Sequence, residues 1–346
     1  MLPPIEETDL AHIWQHATTC ITELDSARLF ITGGTGFFGC WLLESLRYAK
    51  THLGLGTELV VLTRDPDAFM RKMPHLAKMP GLQLLAGDVT TFTYPEGEFT
   101  HVIHAATEAS ATLNQEQPLI MLDTITEGTR HTLDFAVQAN VRKFLLTSSG
   151  AVYGVQPPTL SHVDETYFGA PDPLEATSAY GLGKRLAEHL CVVYSRQHGF
   201  EVKIARCFAF VGPYLPFMSH FAIGNFIHNA GQQNPIQILG DGSPYRSYLY
   251  AADLVVWLWM ILCQGESGRA YNVGSEEAIN LTDLANRVAQ SAHVYLPVLI
   301  AKKPDPNALA ARYVPQTQRA QKELQLRQCV SLEDSIQRTL RWSLNQ

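Results

Sequence analysis

Tyr180 and Lys184, in the stretch Tyr180-Gly-Leu-Gly-Lys184, are the residues whose types and spacing most directly suggest chemistry. A tyrosine is a poor acid or base near neutrality because its phenol titrates near pH 10. On a helix, a spacing of four places the lysine one turn away on the same face. An ammonium about 4 Å from the phenol is worth roughly 4 kcal/mol at an effective dielectric near 20, so Lys184 is expected to lower the Tyr180 pKa by about three. That would fit the phenol for proton transfer. Ser148 and Ser149 close the apolar run Lys143–Ser149, where a serine hydroxyl can orient the same substrate oxygen.

A second chemistry lies in Leu29–Cys40, LFITGGTGFFGC, where apolar residues run into Gly33, Gly36 and Gly39 and a helical pattern follows. Glycine serves where the backbone takes a positive φ or approaches a ligand closely, and a helix N-terminus offers unpaired N–H groups to a pyrophosphate. The GxxGxxG spacing therefore points to a dinucleotide. At the exit of a second strand-like run, Glu58–Leu62, the chain reads Thr63-Arg64-Asp65, with no acid at the place where ribose hydroxyls are usually bound. A guanidinium there can meet a 2′-phosphate by two-pronged hydrogen bonds, so Arg64 favours NADP over NAD. Asp88, after Gly87, is placed either to meet the adenine edge or to make a turn.

These residues need a scaffold, and the alternation of apolar runs supplies one. Strand-like segments at Leu29–Thr32, Glu58–Leu62, Leu82–Leu85, His101–Ala106, Lys143–Ser149 and Val202–Cys207 are separated by helical patterns, the longest near 118–140 and 179–198. This predicts an α/β fold, a Rossmann-type doubly wound parallel sheet with ligands at the carboxyl ends of its strands, plus a smaller C-terminal substrate-binding domain. Residues 1–27 read as a helical arm with a helix over Thr8–Leu24. The dinucleotide-binding domain is expected over 28–210, with 246–275 packing back on it. The substrate domain is expected over 211–245 and 276–346. Hydrophobic residues at 46% and charged ones at 17% fit a globular enzyme, and a net charge of −7 without charge blocks argues against nucleic acid. Six cysteines without CxxC or CxH spacing indicate neither a disulfide framework nor a zinc site. The N-terminal stretch lacks a secretory pattern, and Leu254–Cys263 is too short to span a bilayer, so no membrane partner and a cytoplasmic location are expected.

Taken together, TGGTGFFG, His104-Ala-Ala106, Ser148-Ser-Gly-Ala-Val-Tyr-Gly154, Tyr180–Lys184 and Ala205–Pro213 resemble the extended short-chain dehydrogenase/reductases, the epimerase/dehydratase group acting on nucleotide sugars. The resemblance runs from about residue 28 to 340 and implies a homodimer paired through the two long helices. It implies that Gly33, Gly36, Phe37, Phe38 and Gly39 face the cofactor pyrophosphate, that Asp88 and Val89 border the adenine, and that Ala105, Ala106 and Thr107 flank the ribose. Ser149 takes the place of the catalytic serine or threonine, Tyr180 is the acid/base, and Lys184 contacts the nicotinamide ribose. Ser148, Asn225, Arg246 and Arg312 are implied for a nucleotide-diphosphate sugar, and Asn272–Ser275 for structure.

Departures from that pattern bear on the reaction. Dehydratases of the group carry an acid pair after the catalytic hydroxyl, and the decarboxylases keep a carboxylate there; this chain has Gly150 and Ala151. Glu108 is the nearby carboxylate that could substitute. Arg246 is followed by Ser247 where an acid is usual, and Ala209 stands where an asparagine is usual. Hydride chemistry survives these changes. The expectation is an NAD(P)-dependent oxidoreductase that reduces a 4-keto sugar nucleotide or epimerises at C4. The alternatives are a 4,6-dehydratase or decarboxylase using Glu108, and a non-catalytic NAD(P)-sensing binding protein.

Overall fold

Near-continuous apolar runs such as Leu29–Ile31 and Leu59–Leu62 leave the strands buried on both faces, as parallel sheets covered by helices require. In the computed structural model, which describes residues 1–345 except Glu108, Ala109, Met218, His220, His293 and Pro306, seven strands form one parallel sheet. They are β1 (Arg28–Thr32), β2 (Glu58–Thr63), β3 (Leu82–Ala86), β4 (His101–His104), β5 (Lys143–Ser149), β6 (Glu201–Cys207) and β7 (Arg269–Val273). Their spatial order is β3-β2-β1-β4-β5-β6-β7, so the chain reverses direction across the sheet between β1 and β4. That reversal opens a crevice at the carboxyl ends of β1 and β4.

Seven of the helices cover the sheet or pack beside it: α1 (Glu7–His16), α2 (Phe37–His52), α3 (Pro118–Gln138), α4 (Ala179–His198), α5 (Ala222–Gly231), α6 (Ala251–Gln264) and α7 (Leu332–Ser343). Phe30, Val60, Val102, Phe144 and Ile204 face the layer made by α3 and α4. Their neighbours Ile31, Val61, Ile103, Leu145 and Ala205 face the other layer, which holds α1, α2 and α6. Every residue of α6 from Ala251 to Cys263 is buried, because the helix lies between the sheet on one side and α1 and α2 on the other. Among the described residues, no helix is long and apolar enough to cross a membrane.

Two element boundaries differ from expectation. The arm does not form one helix: α1 ends at His16, and a short 3-10 turn, Thr18–Cys20, leads into Ile21–Leu24. Strand β4 stops at His104, and Ala105 and Ala106 turn away to donate their N–H groups to the Thr32 hydroxyl. The proline-bearing segment after β2 forms two short helices, Pro66–Lys72 and Pro74–Ala77, since proline is tolerated in a first helical turn. Asp65 caps the first of these, accepting from the Ala68 N–H at 2.8 Å.

Candidate active site

The glycine turn between β1 and α2 is built as a cradle. Gly33 has φ +69°, and a Cβ on it would stand 2.4 Å from the Ala105 carbonyl oxygen. A Cβ on Gly39 would stand 2.3 Å from Gly34 Cα, so the turn closes only without side chains. Gly36 is the N-cap of α2, and no side chain caps the helix, so its first-turn N–H groups remain available to an anion. Phe37 and Phe38 follow, half-buried. These residues fit the pyrophosphate of a dinucleotide.

The walls of this crevice are fixed by a buried histidine. His104 Nδ1 lies 2.8 Å from the Thr32 hydroxyl and its Nε2 lies 3.1 Å from the Thr129 hydroxyl, which ties β4 to β1 and to α3. Burial holds His104 well below the usual histidine range, at about 3, so the ring is neutral. Arg64 is exposed at the end of β2, and its charge helps hold the Asp88 carboxyl low. The larger cause is Thr90, whose hydroxyl and N–H both donate to Asp88 Oδ1, at 2.6 and 2.9 Å. Asp88 is thus first a turn-making residue. Val89 is buried against Gly128 of α3.

Beyond the crevice, β5 and α4 bring three predicted residues together. Ser149 ends β5 and its hydroxyl accepts from the Ala151 N–H at 3.1 Å, starting the 3-10 turn Gly150–Tyr153. Tyr180 sits in the first turn of α4, where its N–H donates to Asn114 Oδ1 at 3.0 Å. Asn114 Nδ2 donates to the Thr177 carbonyl, so one side chain fixes the entry to α4. Lys184, one turn later, donates to the Thr107 hydroxyl at 2.9 Å and to the Thr147 carbonyl at 2.8 Å. Thr107, expected beside the ribose, is in this structure a partner of Lys184.

The expected lowering of the Tyr180 pKa is not found. Burial pushes the phenol up to about 12, offset in part by a hydrogen bond with Ser149. Lys184 Nζ stands 6.0 Å from the centre of the Tyr180 ring and is engaged by the Thr107 hydroxyl and the Thr147 carbonyl. Burial also brings Lys184 down to about 8. Desolvation is the first cause of both shifts.

Sequence reasoning assigned no role to Tyr313. The two-residue strand Arg312–Tyr313 pairs in parallel with Tyr245–Arg246, setting Tyr313 opposite Arg246. The Tyr313 hydroxyl lies 3.5 Å from Ser149 Oγ, and burial pushes its pKa up. The Arg246 guanidinium stands 5.9 Å from the centre of its ring. A Cβ on Gly150 would meet both the Tyr313 hydroxyl and the Phe208 ring at 2.7 Å. The space after Ser149, where an acid was looked for, is therefore filled by two aromatic residues. Only the non-local pairing of two short strands produces this, so no local signal announces it.

The structure separates other predicted residues from this cluster. Ser148 faces the opposite side of the sheet, donating to Glu188 Oε1 at 2.6 Å, and Glu188 is paired with Arg206 at 2.7 Å. It supports the strand and is not placed to meet substrate. Arg312 starts from the face of its strand opposite Tyr313, and its guanidinium stacks 4.3 Å over the Tyr245 ring. Asn225 donates to the Ser219 carbonyl at 2.8 Å, while its buried Oδ1 has no partner among the described residues. Asn272 binds the Val163 and Gln316 carbonyls and accepts from Tyr153, a structural role. Glu108 lies outside the described residues.

A parallel sheet reversed at β1 and β4, a glycine cradle at that reversal, and Ser149, Tyr180 and Lys184 gathered beside it define a short-chain dehydrogenase/reductase of Rossmann fold. Residues 29–274 match the NAD dependent epimerase/dehydratase family, and the chain belongs to it. It is 32% identical over 263 residues to UDP-glucuronic acid decarboxylase 1 of Arabidopsis thaliana, covering 76% of this chain and 58% of that protein. The structure of UDP-glucose 4-epimerase of Thermus thermophilus in complex with NAD superposes with TM-score 0.74 and 25% identity, covering 91% of this chain and 98% of that one. DesIV, a dTDP-glucose 4,6-dehydratase of Streptomyces venezuelae, shares the fold with TM-score 0.75 and 23% identity, covering 92% and 97%.

Proposed function

We propose that this chain reduces a 4-keto sugar nucleotide with NADPH, and that Tyr180, Lys184 and Ser149 carry the step. The observation behind this reading is the lack of a carboxylate against Ser149 and Tyr180 among the described residues, with Phe208 and Tyr313 filling the space beside Gly150. Elimination of water needs a base at one carbon and an acid at the leaving hydroxyl, whereas carbonyl reduction needs one proton donor. A bound nicotinamide supplies the hydride to the keto carbon. Tyr180, held protonated by burial, gives its phenolic proton to the oxygen that becomes the alcohol, and is reprotonated from solvent. Ser149 orients that oxygen. Lys184 keeps the site's positive charge in place through Thr107 and Thr147.

The preference for NADPH rests on Arg64, exposed at the end of β2, and on Asp65, whose Oδ1 is already taken by the Ala68 N–H. For the sugar nucleotide, Arg246 beside Tyr313 and the second N–H of the Asn225 amide, whose first donates to the Ser219 carbonyl, are the groups we assign to the diphosphate end. We assign residues 28–210 with 246–275 to the cofactor domain, and 211–245 with 276–346 to the sugar-nucleotide domain. A homodimer through α3 and α4 is part of the proposal, supported by exposed Leu119, Ile120 and Leu186. C4 epimerisation uses the same three residues. The decarboxylase relatives favour a further reading, oxidation at C4 followed by loss of carbon dioxide.

One incubation set separates these readings. Purified protein is given NADPH with a 4-keto-6-deoxyhexose nucleotide, NAD with UDP-glucuronic acid, or NAD with a UDP-hexose. NADPH consumption with an alcohol product is expected in the first, and its lack overturns the reductase reading. Release of carbon dioxide from the second supports decarboxylation instead. Tyr180→Phe is expected to lower turnover by about 10²–10⁴-fold with the circular dichroism spectrum unchanged.

A further inference from the structure

On the side of the sheet covered by α1, three segments far apart in the chain bring metal-ligating atoms together. A ring nitrogen of His12, a carboxylate oxygen of Asp253 and Cys329 Sγ all lie within 4.8 Å of one another, His12 Nε2 being 2.9 Å from Asp253 Oδ1. His16, one turn along α1 from His12, places its Nε2 3.7 Å from Cys329 Sγ. We propose that His12, His16, Asp253 and Cys329 form a tetrahedral site for a divalent transition metal of the zinc class.

The ligand types suit such an ion, since imidazole, thiolate and carboxylate are the usual donors to zinc. A tetrahedral zinc with nitrogen at about 2.0–2.1 Å and sulfur at about 2.3 Å sets an N···S edge of about 3.6 Å, close to that between His16 and Cys329. The groups behind the ligands are also in place. His16 Nδ1 lies 3.0 Å from the His12 carbonyl oxygen, so it can donate there and leave the Nε2 lone pair facing the thiol. Asp253 Oδ2 accepts the Cys329 and Val330 N–H groups at 2.8 and 2.9 Å, which fixes the carboxylate with Oδ1 toward His12. Asp253 is almost fully buried while Cys329 is exposed, so the site has a rigid floor and an entry path. Closing it requires His12 and Asp253 to part by about half an ångström toward a tetrahedral N···O edge, and His16, which lies outside the group of three, to move toward both. A bound ion would join α1, the start of α6 and the strap before α7.

The test uses the full chain, without a histidine tag, stripped with a chelator and titrated with Co²⁺ or Zn²⁺. One equivalent of Zn²⁺ per chain is expected after desalting. Co²⁺ is expected to give tetrahedral d–d bands together with a thiolate-to-cobalt charge-transfer band. Cys329→Ser abolishes the charge-transfer band, and both Cys329→Ser and His16→Ala weaken binding by more than the ~10–100-fold that outer partners of a ligand are worth. Zn²⁺ raises the melting temperature of the unaltered chain and leaves that of Cys329→Ser unchanged. Failure to retain stoichiometric metal, or a charge-transfer band that survives Cys329→Ser, overturns the proposal.

Discussion

At the scale of single residues, burial decides the behaviour of the site more than charge does. Tyr180, Tyr313 and Cys207 are all pushed up and Lys184 is brought down, each with desolvation as the first cause. A phenol held protonated suits donation to a carbonyl that receives a hydride, the direction proposed for this chain. His104 gives the clearest link between burial and stability. Its folded pKa of about 3 lies below the ordinary 6.5, so between these values the unfolded chain binds a proton that the folded chain refuses. Stability therefore falls as pH drops below 6.5 toward 3. Between pH 7 and pH 4.5, urea unfolding should show a loss of about 2–3 kcal/mol from this group. The His104→Gln chain should lose less over the same range, and an equal loss in both would contradict this origin.

At the scale of elements, the glycine turn joins the two strands at which the sheet reverses. Gly33 packs against Ala105 across the top of β1 and β4, so the turn and the strand exits act as one unit. Alanine at Gly33 should cost about 1–2 kcal/mol for the positive φ alone, before the clash with the Ala105 carbonyl. It should also weaken NADPH binding more than tenfold by fluorescence titration, and unchanged binding would remove the turn from the cofactor site. The turn, the individual strands and the Tyr180–Lys184 helix were legible because each is encoded by a continuous stretch with its own periodicity, and Ser149 because it ends the strand that precedes that helix. Asn114 and Tyr313 were not, because their partners Tyr180 and Ser149 lie 66 and 164 residues away. Ser148 was misjudged beside Ser149 because adjacent strand residues face opposite ways. The Tyr180–Lys184 spacing was read correctly as one face of a helix, but not the hydrogen bonds that draw the ammonium toward Thr107 and Thr147.

At the scale of the whole molecule, residues near the start of the chain close the layer that covers α6. Asp9 of α1 accepts the Tyr250 hydroxyl and pairs with Arg338 of α7, joining the arm, the entry to α6 and the final helix. Trp14 and Trp259 stack beside it with ring centres 6.1 Å apart. Asp9→Ala would leave a buried phenol without its acceptor and Arg338 without its counter-charge. A loss of roughly 2–3 kcal/mol in urea unfolding is expected, and a change within experimental error would show that the arm docks by apolar contact alone. This layer lies on the face of the sheet away from α4, while the chemistry stays at the strand ends.

The central claim is that the Ser149–Tyr180–Lys184 group performs carbonyl reduction in a site where, among the described residues, no elimination acid lies against Ser149 and Tyr180. The most direct measurement follows NADPH absorbance as the protein meets a 4-keto-6-deoxyhexose nucleotide, with the sugar product identified by mass spectrometry. Stoichiometric NADPH oxidation, a product heavier by two hydrogens and loss of both in Tyr180→Phe are the expected results. No NADPH consumption, together with release of carbon dioxide from UDP-glucuronic acid, would contradict the claim and assign the site to decarboxylation.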